Sequence, residues 1–207
     1  LPDGSKRKTY PIFAVRNLMK RIYAICKSKK KYALVNAHQS TNCTIPTLAW
    51  ATSYWDGEQF QGLAHADEPL KLLPLAAFRA EFMGKNWGVP AEFLATGAWT
   101  MDDALAFAML HDVLVRPGGV GETLEKMSKI WDVLSNFGVQ DEDAQWFPYW
   151  RNVHLIKMSP EDIKVSLYSK KAKKTLLVVS NLGKEPVTAK LEINFTNLGL
   201  DSKMVKI

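Results

Sequence analysis

Leu48-Ala49-Trp50-Ala51-Thr52-Ser53-Tyr54-Trp55 is an apolar, aromatic run that stops abruptly at Asp56-Gly57-Glu58. Short runs of this kind, closed by turn residues, predict buried strands. Upstream, Ala33-Leu34-Val35-Asn36-Ala37 has the same character and opens into the polar His38-Gln39-Ser40-Thr41-Asn42. Downstream, Glu92-Phe93-Leu94-Ala95 and Asp112-Val113-Leu114-Val115 repeat it, and Arg116-Pro117-Gly118-Gly119 breaks the last one. Around these runs the apolar spacing is helical. Val15, Leu18, Met19, Ile22 and Ile25 predict an amphipathic helix over 10–28, closed by lysines that suit its C-terminal dipole. Leu72, Leu75, Phe78 and Phe82 predict a helix over 68–86. Thr100-Met101-Asp102-Asp103 resembles a capping box and opens a helix that runs through Leu110. Leu124, Met127, Trp131 and Leu134 mark a last helix, ending near Gly138.

Strands alternating with helices imply a parallel sheet with covering helices. Four strands are expected, near 33–37, 48–55, 92–95 and 112–115, where a complete (β/α)8 barrel has eight and typically ~250 residues. The expected fold class is therefore α/β, with residues 1–150 forming the C-terminal half of a (β/α)8 TIM barrel. After Trp146-Phe147-Pro148-Tyr149-Trp150 the pattern changes. Ile163, Val165 and Leu167 alternate with polar residues, and so do Val187, Ala189, Leu191, Ile193 and Phe195, with a turn at Asn181-Leu182-Gly183-Lys184 between them. Period-2 alternation predicts antiparallel strands with one wet face, so residues 151–207 are expected to form a truncated antiparallel β-sandwich-type domain. A half barrel leaves two strand edges open, and self-association or a partner covering that edge is expected.

Composition narrows the classes. The 207 residues are 47% hydrophobic and 23% charged, ordinary for a globular protein. No apolar run approaches the ~20 residues of a membrane-spanning helix. The chain starts Leu1-Pro2-Asp3-Gly4, without Met or a signal-peptide pattern, and reads as the inside of a longer protein. Much of the net charge of +6 sits in two lysine runs, 27–31 and 170–174. Such runs read as solvated helix ends or turns, not as a nucleic-acid surface, which spreads cations along a face among stacking aromatics. Cys26 and Cys43 are too few for a disulfide framework, and Cys26 is expected to be a buried small hydrophobe. Asn42-Cys43-Thr44 and Asn194-Phe195-Thr196 fit the glycosylation sequon, a short pattern that also recurs by chance. No spacing resembles a zinc, calcium or phosphate-loop site, so neither metal nor cofactor is expected.

In a parallel barrel the reactive groups follow the C-terminal ends of the strands. Those positions hold His38, Gln39 and Asn42, then Asp56 and Glu58, then Thr96 and Trp99, then Arg116. Carboxylates beside aromatic rings suit a sugar site, because rings cover the apolar sugar face and carboxylates perform acid/base work. Glu58 and Asp56 are the candidate catalytic pair, with Gly57 freeing the backbone to turn both toward one cavity. His38, Tyr54, Trp55, Trp99 and Arg116 are the candidate substrate-binding residues. An ordinary exposed turn is the alternative for Asp56-Gly57-Glu58. Arg79 and Glu81, two apart on a helix, do not share a face and read as structural. His111 reads as a helix-end residue, and His65 and His154 have no interpretable arrangement.

Taken together, several stretches resemble a bacterial family of glycoside hydrolase-like proteins distantly related to glycoside hydrolase family 123. They are Tyr-Pro-Ile-Phe-Ala-Val-Arg-Asn-Leu-Met-Lys-Arg-Ile-Tyr at 10–23, Asn-Ala-His-Gln-Ser at 36–40 and Tyr-Trp-Asp-Gly-Glu at 54–58. Phe-Arg-Ala-Glu-Phe-Met-Gly at 78–84 and Leu-His-Asp-Val-Leu-Val-Arg-Pro at 110–117 continue the likeness. The resemblance implies a large secreted or periplasmic protein of polysaccharide-degrading bacteria, with a central barrel flanked by β-sandwiches. Family 123 itself uses an adjacent Asp-Glu pair and substrate-assisted chemistry on N-acetylgalactosamine glycosides. Here Gly57 separates Asp56 from Glu58, and the resemblance implies a further acidic strand end upstream of Leu1. The expectation is a fragment of a glycoside hydrolase that needs its upstream part for activity. The alternative is a non-catalytic carbohydrate-binding or scaffold fragment, since barrels can lose activity and keep their cleft.

Overall fold

A computed structural model describes residues 2–40, 44–63, 73–82, 88–95, 99–116, 121–183 and 185–203. Helix α1 (Ile12–Lys29) lies where the apolar spacing predicts it, but its apolar residues divide between two directions. Met19, Tyr23 and Cys26 are half-buried, with Met19 packed on the main core and Tyr23 edge-on to Trp50 at 5.9 Å. Val15, Leu18, Ile22 and Ile25 are exposed, Leu18 to 58%. Nothing among the described residues covers that outer stripe. Cys26 is half-buried, not the buried hydrophobe its place on the stripe suggests.

Strands β1 (Asn36–His38), β2 (Ser53–Asp56), β3 (Ala91–Leu94) and β4 (Leu114–Arg116) form a parallel sheet in chain order. The largest departure from the expected spans is at 48–55, where Leu48 ends a short helix, α2 (Ile45–Leu48). Pro46 sits in its first turn, where the fixed φ is suited to a helix and the missing N–H goes unused. Strand pairing therefore starts only at Ser53.

Register gives the sheet two different faces. Tyr54 lies beside Ala37 and Ala91, and Phe93 beside Asp56 and Val115, all of them buried. Helices α3 (Leu75–Phe82), α4 (Met101–Leu110) and α5 (Gly121–Phe137) contribute Phe78, Phe82, Ala104, Phe107, Ala108 and Met127 to the same core. Helix α3 starts after Pro74, whose carbonyl accepts from the Ala77 and Phe78 amides. The rest of the expected 68–86 helix, at 68–72 and 83–86, lies outside the described residues. Helix α4 carries the predicted capping box, with Thr100 Oγ1 accepting from the Asp103 amide and Asp103 accepting from Thr100 N–H. These four strands do not show a closed eight-stranded barrel.

The antiparallel part starts earlier than the alternation suggests. β5 (Gln145–Phe147), β7 (Ile163–Lys170) and β8 (Lys174–Asn181) form one sheet, with β7 central. β6 (Ile156–Ser159) and β9 (Lys190–Ile193) form another, followed by the short helix α6 (Phe195–Leu198). The expectation of a wet face fails at β7, which is buried on both sides. Its hydroxyl residues face the helices, where Ser166 Oγ donates to Leu110 O (2.7 Å) and the Tyr168 hydroxyl donates to the Asp112 carboxylate. Burial pushes the Tyr168 hydroxyl well above its ordinary pKa. On β8, Ser180 Oγ donates to Ala106 O (2.9 Å). The second lysine run is mostly spent internally, as Lys170 pairs with Asp141 and Asp143, Lys173 with Asp143, and Lys174 donates to Asn136 O. Among the described residues no helix is long and apolar enough to cross a membrane.

Candidate functional site

Opposite the helices, the sheet presents Asn36 and His38 from β1, Ser53 and Trp55 from β2, Glu92 and Leu94 from β3, and Leu114 and Arg116 from β4. Their partial or full exposure contrasts with the buried residues that alternate with them. Several form one connected polar cluster. Asn36 Nδ2 donates to Ser53 Oγ (2.8 Å) and to Glu92 Oε1 (2.5 Å). Arg116 Nη1 donates to Glu92 Oε2 (3.3 Å), and its guanidinium carbon lies 4.6 Å over the Trp55 ring. The His38 imidazole stacks on the same indole at 3.7 Å with the rings 6° from parallel. His38 Nε2 lies 3.2 Å from Glu58 Oε2, with both side chains 44% exposed.

The loops after the strands hold this arrangement. The Gln39 amide donates to Trp55 O (3.0 Å), extending the pairing of β1 with β2 past His38. The Gln39 side chain is buried, donating to His38 O and accepting from Thr44 N–H. Glu58 N–H lies within reach of Ser40 Oγ at 3.4 Å. Gly57, at φ +131°, could not carry a side chain, because a Cβ there would sit 2.3 Å from Leu94 O.

That turn separates the two predicted catalytic carboxylates. Glu58 faces His38 at the open side, whereas Asp56 follows the strand alternation to the helix side and is 0% exposed. Asp56 Oδ1 accepts from the Gly57 amide (2.6 Å), which also donates to Gln59 Oε1 (3.2 Å), and Gln59 links the turn to Glu81 on α3. Burial, the Asp56 charge and the contact with Asp56 raise the Glu81 pKa, with Gln59 opposing through a hydrogen bond to Glu81 Oε1 (3.3 Å).

The predicted binding residues divide in the same way. His38, Trp55 and Arg116 come together on the open side. Tyr54 and Trp99 do not join them. Tyr54 is buried and donates its hydroxyl to Glu81 O (3.1 Å), while Trp99 packs edge-on to Phe93 and Phe107 in the core. Asn42 and Thr96 lie outside the described residues, as does His65. His111 is the C-cap of α4 and lies far from solvent, its Nδ1 2.7 Å from Phe107 O. Burial, with Arg79 adding to it, pushes its pKa down to about 4.

Sequence reasoning missed Asn36 and Glu92, and it read Glu81, which accepts from Gln59 beside the turn, as structural. Glu92 carries a usable signal, since a charged residue inside a four-residue apolar strand has to face either a partner or a cleft. No group of described His, Cys, Asp or Glu residues is placed to hold a metal ion.

Residues 126–207 match the family model described as Glycoside hydrolase 123, C-terminal domain. The match supports a distant relationship of this chain to glycoside hydrolase family 123. It begins within α5 and covers the antiparallel sheets, so it lies wholly beyond the stretches quoted for the sequence resemblance, the last of which ends at 117. No curated protein and no solved structure matches the chain.

Proposed function

We propose that this chain is the C-terminal part of a glycoside hydrolase, acting on a polysaccharide or glycan at the open end of the parallel sheet. The observation that carries the reading is the Glu58–His38 pair at adjacent strand ends, beside Trp55 and Arg116 on the face opposite the described helices. Among the described residues the core helices pack on one face only, and that, with strands in chain order, supports a segment of (β/α)8 barrel whose interior would be this polar face. In a doubly wound sheet helices cover both faces. The exposed stripe on α1 and the outer strands β1 and β4 support an adjoining segment or partner that covers them.

In this reading Glu58 is the proton donor to the leaving oxygen, and His38 orients it. Asp56 acts only indirectly, through the turn it holds. Arg116, braced by Glu92, and the edge of Trp55 contact the sugar. The indole faces are already engaged by His38 and Arg116, so stacking a sugar on Trp55 would require one of them to move aside. A non-catalytic sugar-binding or scaffold fragment is the second reading. It is favoured by the position of Asp56, which leaves Glu58 as the one candidate carboxylate of the Asp56-Gly57-Glu58 turn on the open side.

The test is Glu58→Gln in the full-length protein, assayed on a natural glycan. The fold and sugar affinity should persist while kcat falls roughly 10²–10⁴-fold, the usual worth of a positioned general acid. Activated aryl glycosides are unsuitable, since a good leaving group hides the loss of an acid. Wild-type turnover by Glu58→Gln would remove Glu58 from the role. Sugar binding by the wild-type protein without turnover of any glycan would favour the second reading.

A further inference from the structure

On the open face, side chains from all four parallel strands touch in sequence, and the last contact reaches Glu58. His38, Trp55 and Glu92 lie in one row across β1, β2 and β3, because His38 pairs with Trp55 and Trp55 with Glu92. Asn36 lies two residues before that row on β1, and Arg116 two residues after it on β4. The Glu92 carboxylate joins the two. Its Oε1 accepts from Asn36 Nδ2 (2.5 Å) and its Oε2 from Arg116 Nη1 (3.3 Å). Asn36 Nδ2 also donates to Ser53 Oγ (2.8 Å), so the carboxylate is tied to β1 and β2 at one end. The Glu92 side chain is 23% exposed against 38% for Arg116, which makes the carboxylate the more enclosed end of the pair.

The pair acts on Trp55. Strands β1 and β4 lie on opposite sides of β2, so His38 and Arg116 approach the indole from opposite directions. The guanidinium carbon lies 4.6 Å from the ring centre, and the His38 imidazole stacks on the ring at 3.7 Å, 6° from parallel. An indole turns readily about its ring torsion, whose minima are broad, and parallel stacking survives only while the ring stands upright. The Arg116 stem has freedom of its own to lose, and Glu92 restrains it. We infer that Glu92 is a positioning residue of the candidate site. It holds Arg116 against Trp55, the indole holds the His38 ring, and His38 Nε2, 3.2 Å from Glu58 Oε2, sets the candidate proton donor. This inference deepens the proposed glycosidase reading and rests on it for its catalytic consequence. The clamp on the His38 ring exists without substrate and is tested without one.

The first measurement is proton NMR of the His38 ring in this chain, its signals assigned by their loss in His38→Gln. Protons over the face of an indole are shifted upfield by its ring current, so these signals should lie upfield of an unstacked histidine. Glu92→Gln offers one carbonyl oxygen where Asn36 and Arg116 each use one, and it should move the signals toward the unstacked position. Arg116→Gln should move them as far, and the double variant no further. Should Glu92→Gln fail to fold, Glu92→Asp keeps the charge beside Arg116 with a shorter reach, and it should move the signals in the same direction. His38 signals that stay in place in a folded Glu92 variant overturn the inference. In the full-length protein on a natural glycan, Glu92→Gln should lower kcat about 5–30-fold. That is less than the roughly 10²-fold a misplacement of about 1 Å can cost, because water reaches the ion pair. In a Glu58→Gln background the same change should lower kcat no further, since Glu92 acts through Glu58. Full kcat in Glu92→Gln, or a loss that persists in the Glu58→Gln background, removes the positioning role. If wild type turns over no glycan, the glycosidase reading fails while the NMR result still decides the clamp.

Discussion

The two faces of the four-stranded sheet are built from alternate residues of the same short strands, yet they do opposite work. Ala37, Tyr54, Asp56, Ala91, Phe93 and Val115 face the helices and are buried, most of them among aromatic rings. Asn36, His38, Trp55, Glu92 and Arg116 face the other way and bind one another through hydrogen bonds, an ion pair and ring contacts. Removing apolar surface from water stabilises the first face by roughly 25 cal/mol for each Å² buried. The second face contributes little of that and keeps its groups within reach of a ligand. A single residue, Gly57, sends Asp56 to the first face and Glu58 to the second.

The difference should be largest in a pair of truncations. Phe93 is fully buried and meets Phe78, Phe82 and Trp99 within 5.3 Å, so Phe93→Ala should cost about 3–5 kcal/mol of stability. Trp55→Ala, on the neighbouring strand but the opposite face, removes one stacking and one cation–π contact and should cost about 1–2 kcal/mol. Urea unfolding of both variants measures this. Equal costs would mean that the polar face is packed as tightly as the apolar one.

A smaller effect comes from acid and again separates the faces. His111 belongs to the buried layer, where its pKa falls to about 4 from 6.5, chiefly through burial. The charged group that acts on it is Arg79, while Phe78, Tyr149 and Trp150 supply rings around it. Because the folded pKa lies below the unfolded one, the unfolded chain binds the extra proton between pH 6.5 and 4. Stability is thus complete above about pH 6.5 and declines as pH falls to about 4, by about 3 kcal/mol for this group. Urea midpoints at several pH values, wild type against His111→Gln, should show the variant losing less over that window. Parallel curves for the two proteins would refute the burial argument.

How much of this was legible in the sequence follows from which interactions are local. The order of strands and helices was readable because apolar spacing repeats within each element, and the capping box at Thr100 because it spans four residues. Strand ends were less readable. Pro46 turns 45–48 into helix, a competition that an apolar run does not reveal. Ser166 and Tyr168 look like a wet face until Leu110 and Asp112, 56 positions away, supply their partners. For the site, His38, Glu58 and Arg116 were found by the strand-end rule, and Trp55 as a ring beside the carboxylates. Asp56 and Trp99 satisfied the first rule and Tyr54 the second, but all three fell on the helix side or in the core. Period-2 alternation assigns Asp56 to the face of Tyr54, yet which face the helices cover depends on packing that no local pattern records.

The smallest expected effect lies in the middle of the open face. Glu92 is held by Arg116 at 3.3 Å and by Asn36 at 2.5 Å, with the Arg116 side chain 38% exposed. An ion pair reached by water gains little, because solvent screens it and two long side chains lose freedom in making it. Glu92→Gln keeps a carbonyl oxygen for Asn36 and removes only the charge, so it should cost about 0–1 kcal/mol. The cost should shrink further in about 1 M NaCl, where screening acts over roughly 3 Å. The informative result is a large one. If Glu92→Gln costs more than about 3 kcal/mol and salt leaves that unchanged, Arg116 has become an uncompensated buried charge. The polar face would then be covered in solution, by a second copy of the chain or by an adjoining segment. In that case the difference between the two faces would lie in chemistry alone, no longer in access to water.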